Sequence, residues 1–289
     1  MSDTPVFVAD ASGVAWDLGI GGALTWTGVA GFILEADGTR IATDPFASRP
    51  GLAAVLARRP RSDRALVAAT FGRLDAIFVN HAHFDHALDV PAILASAPAT
   101  VAHGSATLVE LCRRLGGREN QLCQLQDGER VTAGPFTVEA VASRHGVVPL
   151  LGRVDRRQLG PRGTPRTPIR WPRGDVLAYR IGIGGRTFHI QGSAGIDDHA
   201  LARQDPADVL IACLAARQGT PGYLDRLAER LRPRFIVACH HDDFFVPLSA
   251  PARPVARLDW GRFLTDVERL RARYGTELVR LPRNVAAEF

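Results

Sequence analysis

Short apolar runs recur along the chain at 24–28, 31–36, 39–43, 76–80, 99–102, 135–142, 176–183, 186–191, 207–212 and 234–239, with the lengths and bounding residues of buried or half-buried strands. Between them, stretches at 51–70, 87–97, 104–115, 219–231 and 260–273 carry apolar positions at helical spacing. Gly38 and Gly184-Gly185 separate alternating apolar segments and mark hairpins. Two successive blocks of strands with helices follow from this order. Such an order suits two sheets packed face to face with helices outside, an α/β fold with mixed sheets. Internal repeats and low-complexity tracts are absent.

Composition narrows the class. A chain of 289 residues, 46% hydrophobic, is long enough for one large domain with a substantial core, and residues 1–289 are read as that single domain. No run of eighteen or more apolar residues predicts a membrane span. Met1-Ser2-Asp3-Thr4-Pro5 lacks a basic region followed by an apolar stretch, so no signal peptide is expected. Cys112, Cys123, Cys213 and Cys239 form no Cys-x-x-Cys pair, which argues against a zinc ribbon and for reduced thiols in the cytoplasm. The net charge of +5 comes almost wholly from arginine. It favours anionic small-molecule substrates through steering, but no concentrated basic helix or RNA-recognition motif points to nucleic acid. Whether the chain forms a homo-oligomer is left open.

The chemistry concentrates in Asn80-His81-Ala82-His83-Phe84-Asp85-His86. The apolar run Ala76-Ile77-Phe78-Val79 precedes it and the helical pattern Ala87–Leu94 follows, so four potential ligands crowd a strand-to-helix turn. In an extended turn His81 and His83 fall on one side, spaced to share an ion. Asp85 and His86, where the chain bends into the helix, can serve a second. Imidazole with carboxylate suits zinc first, with iron, manganese or cobalt as substitutes.

His-x-His-x-Asp-His resembles the signature of the metallo-β-lactamase superfamily of metal-dependent hydrolases. The likeness extends through Leu24-Thr25-Trp26-Thr27-Gly28, Phe32-Ile33-Leu34 and Ile41-Ala42-Thr43-Asp44-Pro45-Phe46, similar to the family's opening strands and its Asp-Pro-Phe turn. Within the superfamily the pattern is most similar to the group of L-ascorbate-6-phosphate lactonase and N-acyl-phosphatidylethanolamine phospholipase D. The resemblance implies a four-layer αββα sandwich and a site for one or two Zn²⁺ ions, with Mn²⁺ or Fe²⁺ as alternatives. It leaves the substrate open, because lactones, β-lactams, thioesters, phosphodiesters and RNA are all cleaved on this scaffold.

By the same resemblance His145, at the exit of the apolar run 136–142, completes a first ligand set with His81 and His83. His240, after Phe235–Cys239, closes a second with Asp85 and His86; His241 competes for that role, and Asp242 or Asp243 would orient a ligand imidazole. One departure stands out. Where many relatives carry a Gly-Asp-Thr turn whose aspartate bridges both metals, this chain has Gly192-Ser193-Ala194. Ser193 is a poor zinc ligand, so three protein ligands remain for each ion. One metallo-β-lactamase subclass shares that serine and still binds two zincs.

The activity this implies is hydrolysis of an ester, lactone or phosphodiester bond by metal-activated water, with Asp85 orienting the nucleophile and relaying a proton. The group likeness favours a small anionic ester or lactone, gripped by arginines such as Arg144, Arg153 and Arg170. A noncatalytic metal-binding module on the same fold and a β-lactam hydrolase are the competing readings. His103, His189 and His199 are set aside as lining, structural and surface histidines. Finally, residues 146–174 (GVVPLLGRVDRRQLGPRGTPRTPIRWPRG) form a Pro-, Gly- and Arg-rich insertion directly after His145. It reads either as a gate over the site or as a solvated excursion.

Overall fold

The computed structural model describes residues 17–57, 61–147, 159, 167 and 170–289. Arg153 and most of the 146–174 insertion lie outside the described residues. The first sheet runs β1 (Ala23–Gly28), β2 (Gly31–Ala36), β3 (Thr39–Thr43), β4 (Ala76–Phe78), β5 (Val101–Gly104) and β6 (Leu122–Gln124) in spatial order. β1, β2 and β3 are antiparallel neighbours, and β3 through β6 are parallel. The second sheet contains β7 (Arg130–Ala133), β8 (Phe136–Ser143), β9 (Val176–Ile183), β10 (Arg186–Gln191), β11 (Val209–Cys213), β12 (Phe235–Cys239) and β13 (Glu277–Val279), again as neighbours. It is antiparallel up to β10 and parallel beyond. β14 (Ala286–Glu288) returns to pair antiparallel with β1. The helices are α1 (Leu52–Ala57), α2 (Arg64–Phe71), α3 (Phe84–Ala87), α4 (Val90–Ser96), α5 (Ala106–Arg114), α6 (Asp198–Ala202), α7 (Tyr223–Leu231) and α8 (Trp260–Tyr274).

Side chains alternate along each strand, and this assigns the layers. On β2, Phe32 and Leu34 join Phe136, Val138, Tyr179 and Phe188 of the second sheet in one buried cluster. Ile33, between them, faces the other way into a cluster with Val67, Phe71, Ile93, Leu94, Leu108 and Leu111 of α2, α4 and α5. β4 repeats the pattern, with Phe78 between the sheets and Ile77 toward the helices. On the second sheet α7 and α8 supply Leu224, Leu227, Leu231, Phe263 and Val267 to the core. Two mixed sheets flanked by helices result, as the sequence predicts.

Several boundaries differ from expectation. The helical stretch expected at 51–70 divides into α1 and α2, with residues 58–60 outside the described residues. Asp63 starts the second helix afresh by accepting the Leu66 N–H at 3.0 Å. The helix expected at 87–97 begins earlier, at Phe84 inside the histidine motif, and resumes as α4 with Pro91 in its first turn. α7 starts at Tyr223 rather than 219, because Pro221 and Gly222 (φ 62°) occupy its approach. β6, β7, β13 and β14 have three or four residues each, largely exposed or half-buried, so no apolar run reveals them. No helix among the described residues is long and apolar enough to cross a membrane.

Candidate metal centre

The six residues proposed as ligands come from strand ends on both sheets. β4 ends at Phe78, and the turn that follows is anchored from three sides by Asn80. Its N–H donates to Asp44 Oδ1 at 2.7 Å, its Nδ2 to the Leu177 carbonyl at 2.5 Å, and its carbonyl accepts the Leu177 N–H at 2.8 Å. The motif turn is thus tied to the end of β3 and, across the interface, to β9. The Ala82 N–H donates to the Arg173 carbonyl at 2.8 Å, so the tail of the long insertion also lies against the motif. Trp171, 3% exposed, anchors that tail in the helix-side core.

Two triads form. The side-chain donor atoms of His81, His83 and His145 lie within 4.8 Å of one another, and so do those of Asp85, His86 and His240. The triads adjoin: the His81 and His86 ring centroids are 4.0 Å apart. Within the first, His81 Nε2 is 3.1 Å from His83 Nδ1. His145 Nδ1 is 2.7 Å from the Gly146 carbonyl, a bond that places the proton on Nδ1 and leaves Nε2 with a lone pair. Within the second, Asp85 Oδ2 is 3.2 Å from His240 Nε2 and 3.7 Å from His86 Nε2.

Behind His86 stands a residue that sequence reasoning left without a role in the site. Asp44, fully buried, places Oδ2 3.1 Å from His86 Nδ1. A carboxylate behind an imidazole fixes the ring's orientation and raises the basicity of the opposite nitrogen. Its signal was the Asp-Pro-Phe turn, matched by likeness without a chemical reason. Gly192 is required alongside: a Cβ there would sit 1.7 Å from Asn80 Oδ1 and 2.8 Å from Asp44 Oδ2.

His240 sits in the left-handed region (φ 52°) and donates its N–H to the Val29 carbonyl at 2.6 Å. Val29 in turn donates to Asp242 Oδ1 at 2.8 Å, while Asp242 Oδ2 pairs with Arg49 Nη2 at 2.6 Å, both side chains fully buried. Asp242 therefore fixes the backbone around His240, where the sequence reading had it orienting an imidazole. Asp243 accepts the Phe245 N–H at 2.9 Å instead. His241, the competitor of His240, points elsewhere and lies between Trp26 (centroids 4.5 Å) and Trp260 (5.5 Å). An apolar wall flanks the second triad, with the Phe244 ring 5.6 Å from that of His240 and 6.0 Å from that of Phe84.

The remaining candidates fall around this centre. Ser193 is 5% exposed and accepts the Gly146 N–H at 3.3 Å, which ties its turn to the one carrying His145. Arg144 is exposed and paired with Asp197 at 3.2 Å. Arg170 is exposed. His103 stacks on Phe78 at 4.7 Å, His189 is buried in β10 beside Gln191 Oε1 at 3.3 Å, and His199 lies in α6.

Charge states match the donor set. Burial, followed by the neighbouring His86, His83 and His145, holds His81 far below the ordinary histidine value, so its ring is neutral with a lone pair to offer. Burial disfavours the Asp85 carboxylate, but His86 and His240 outweigh it and hold the group well below the usual range. Burial alone would lower His86, yet Asp44 and Asp85 raise it. Asp44 is raised, its burial outweighing His86. Nδ1 of His81 and of His240, both buried, have no partner among the described residues. Five imidazoles and one ionised carboxylate, converging in two threes from rigid strand ends, fit a pair of transition-metal ions.

The chain matches the family described as the beta-lactamase superfamily domain over residues 39–241. No curated protein matches it. Among solved structures it is similar to Igni18, a metallo hydrolase from Ignicoccus hospitalis KIN4/I, at 14% identity and TM-score 0.60, over 93% of this chain and 99% of that one. It is also similar to CmlA, a diiron beta-hydroxylase from Streptomyces venezuelae, at 16% identity and TM-score 0.58, over 93% of this chain but 54% of that one. Isothiocyanate hydrolase from Delia radicum gut bacteria matches at 16% identity and TM-score 0.52, over 93% and 99%. With a family match that runs from β3 through His240 and includes the whole histidine motif, the chain belongs to the beta-lactamase superfamily, and its fold is that of the metallo-β-lactamases.

Proposed function

We propose that the protein is a metal-dependent hydrolase of a small ester, lactone or phosphodiester, working with one or two zinc ions. The observation that carries this reading is the convergence of two three-residue donor sets from both sheets. Such ions, when bound, supply Lewis acidity and lower the pKa of water. His81, His83 and His145 would hold one; Asp85, His86 and His240 the other. Asp85, ionised and beside His240, is placed to accept a hydrogen bond from the attacking water and orient it. Asp44 holds the His86 ring, and Val29 with Asp242 holds the His240 backbone, so that both donor nitrogens keep their directions.

A net charge of +5 favours an anionic substrate by steering, and Arg170 is exposed on the segment that leads into the motif's anchor. Arg144 would have to leave Asp197, a surface pair of small net value. The apolar wall at Phe244 suits the uncharged part of the same molecule. The group of ascorbate-phosphate lactonase remains the substrate class proposed first.

Metal analysis of the purified protein, together with rates on a lactone, a carboxylic ester, a phosphodiester and a β-lactam, tests the reading. One to two bound ions and hydrolysis abolished in His81→Ala are expected. Absence of any metal, even after titration with zinc, would overturn it. A second reading, an iron protein that does not hydrolyse, is favoured by the donor set itself, which contains no thiolate and suits iron as well as zinc. Iron as the bound metal with no hydrolysis of any substrate class would select it.

A further inference from the structure

Among the described residues every phenylalanine is buried except two, Phe244 and Phe245, which are consecutive and half-buried. Both stand beside the second triad. The Phe244 ring is nearly perpendicular to the His240 imidazole, at 84° with centroids 5.6 Å apart. Its other neighbours are Phe245 at 4.5 Å and Phe84 at 6.0 Å, and Phe84 lies 6.4 Å from Phe245. Phe84 is itself the motif residue between His83 and Asp85. Leaving two adjacent rings partly in water forgoes the transfer free energy that burial gives every other phenylalanine described, so this placement is not explained by the core.

Nor do the rings sit on a slack loop. Arg49 Nη1 donates to the Asp243 and Val246 carbonyls at 3.4 Å each, and Arg283 Nη2 to the Leu248 and Ala250 carbonyls at 2.8 Å each. Asp243 Oδ1 accepts the Phe245 N–H at 2.9 Å, and the Asp243 N–H donates to the Arg253 carbonyl at 2.7 Å. Two guanidiniums therefore pin the loop on both sides of the phenylalanine pair. The ring positions are set before any ligand arrives, which lowers the ordering cost of binding one.

We propose that Phe244, with Phe245 and Phe84, forms a specificity-determining subsite. It selects, among the esters and lactones proposed above, those with a compact apolar group such as an aryl ring next to the scissile bond. The inference rests on the metal-hydrolase reading, because the place of the subsite at the second triad is what gives it a role. Neighbouring rings tilted at 51° to 84° present both edges and faces to a guest, the geometry in which aromatic groups attract one another beyond simple area burial. The polar end of such a molecule reaches the donor triads while its apolar group lies against Phe244.

The test compares acetohydroxamate with benzohydroxamate on the zinc-loaded protein by isothermal titration calorimetry. The two carry the same metal-binding group and differ only in methyl against phenyl. Benzohydroxamate should bind roughly tenfold tighter. Phe244→Ala should cut that preference to about threefold or less, and Phe244→Leu, which keeps apolar volume but loses the ring, should leave a preference between the two. The leucine variant decides the matter should the alanine variant fail to fold. A merely structural role for Phe244 would weaken both hydroxamates alike and leave their ratio as it was. Equal affinity for the two in the natural protein, or a ratio that neither variant changes, would overturn the subsite while the metal centre stands. Failure to take up zinc, or to bind either hydroxamate, would overturn the metal reading and the subsite with it.

Discussion

His86 Nδ1 lies 3.1 Å from Asp44 Oδ2, with neither side chain reaching solvent. The pair leaves His86 Nε2 as the nitrogen available to a metal and sets its direction. Asp44 Oδ1 meanwhile accepts the Asn80 N–H, so one carboxylate orients a donor and anchors the motif backbone. Asp44→Asn preserves an acceptor for Asn80 while removing the charge behind His86. Affinity for the second metal should fall roughly 10–100-fold, with the first unchanged. Competition titration with a chromogenic zinc chelator measures both steps.

The triads predict an asymmetric response to ligand deletion. His81→Ala or His83→Ala should empty the first site, and Asp85→Ala should mainly empty the second. Elemental analysis of each variant, purified side by side, checks this. Equal loss of both ions from every variant would mean that the two triads do not act as separate sites.

How much of this could be read from the chain depended on sequence distance. His81 to His86 span six positions, so their meeting needs only a strand end and a turn, and the motif shows both. His145 and His240 are legible only as polar residues capping apolar runs; their convergence depends on β8 and β12 belonging to one sheet facing β4. Asp44, Asn80 and Asp242 were visible only as members of a likeness or a motif; their partners, His86, Leu177 and Arg49, were missed because nothing local marks them. Each of the three is an ordinary polar residue whose partner lies tens to hundreds of positions away, at separations of 36, 97 and 193 residues for the bonds Asn80–Asp44, Asn80–Leu177 and Arg49–Asp242. The short strands β6, β7, β13 and β14 escaped for a different reason: unlike the equally short β4 and β5, they are largely exposed or half-buried, so no apolar run marks them.

The Arg49–Asp242 pair should matter for folding more than for chemistry. Removing Arg49 leaves the fully buried Asp242 with only Arg283 Nη1, 3.8 Å away, as a charged neighbour, and breaking such a buried pair costs about 3–5 kcal/mol. Arg49→Ala should therefore lower the unfolding free energy extrapolated from urea titration by that amount, with the midpoint falling in proportion. It should also loosen Val29 and, through the Val29 carbonyl, the His240 backbone, so the second metal is lost before the protein unfolds.

His189 supplies a pH dependence unconnected with metal. Burial, which Gln191 offsets only in part, lowers its pKa to about 4 from the ordinary 6.5. Below 6.5 the unfolded chain binds a proton that the folded chain refuses, so stability drops as pH falls from 6.5 toward 4 and is fully present above 6.5. The contribution amounts to about 3 kcal/mol across that window. His189→Gln should flatten this part of the curve. Urea unfolding at pH 7 and pH 4.5, compared between the natural protein and the variant, isolates the effect; an identical pH dependence in both would show that His189 takes up its proton while folded.

Ser193 makes the most informative prediction about the centre. A bridging carboxylate would place a negative charge between two dications, lowering their repulsion and fixing their separation. Ser193 instead accepts the Gly146 N–H, tying its turn to that of His145. The second ion then depends on Asp85, His86 and His240 alone, and should bind more weakly than the first. Occupancy should be stepwise, with activity at low metal rising as zinc or manganese is added. Ser193→Asp should tighten the second ion if the longer side chain fits a position that is 5% exposed. Calorimetric titration separates the outcomes: two equally tight sites in the natural protein, unaltered in Ser193→Asp, would mean that Ser193 does not stand between the metals.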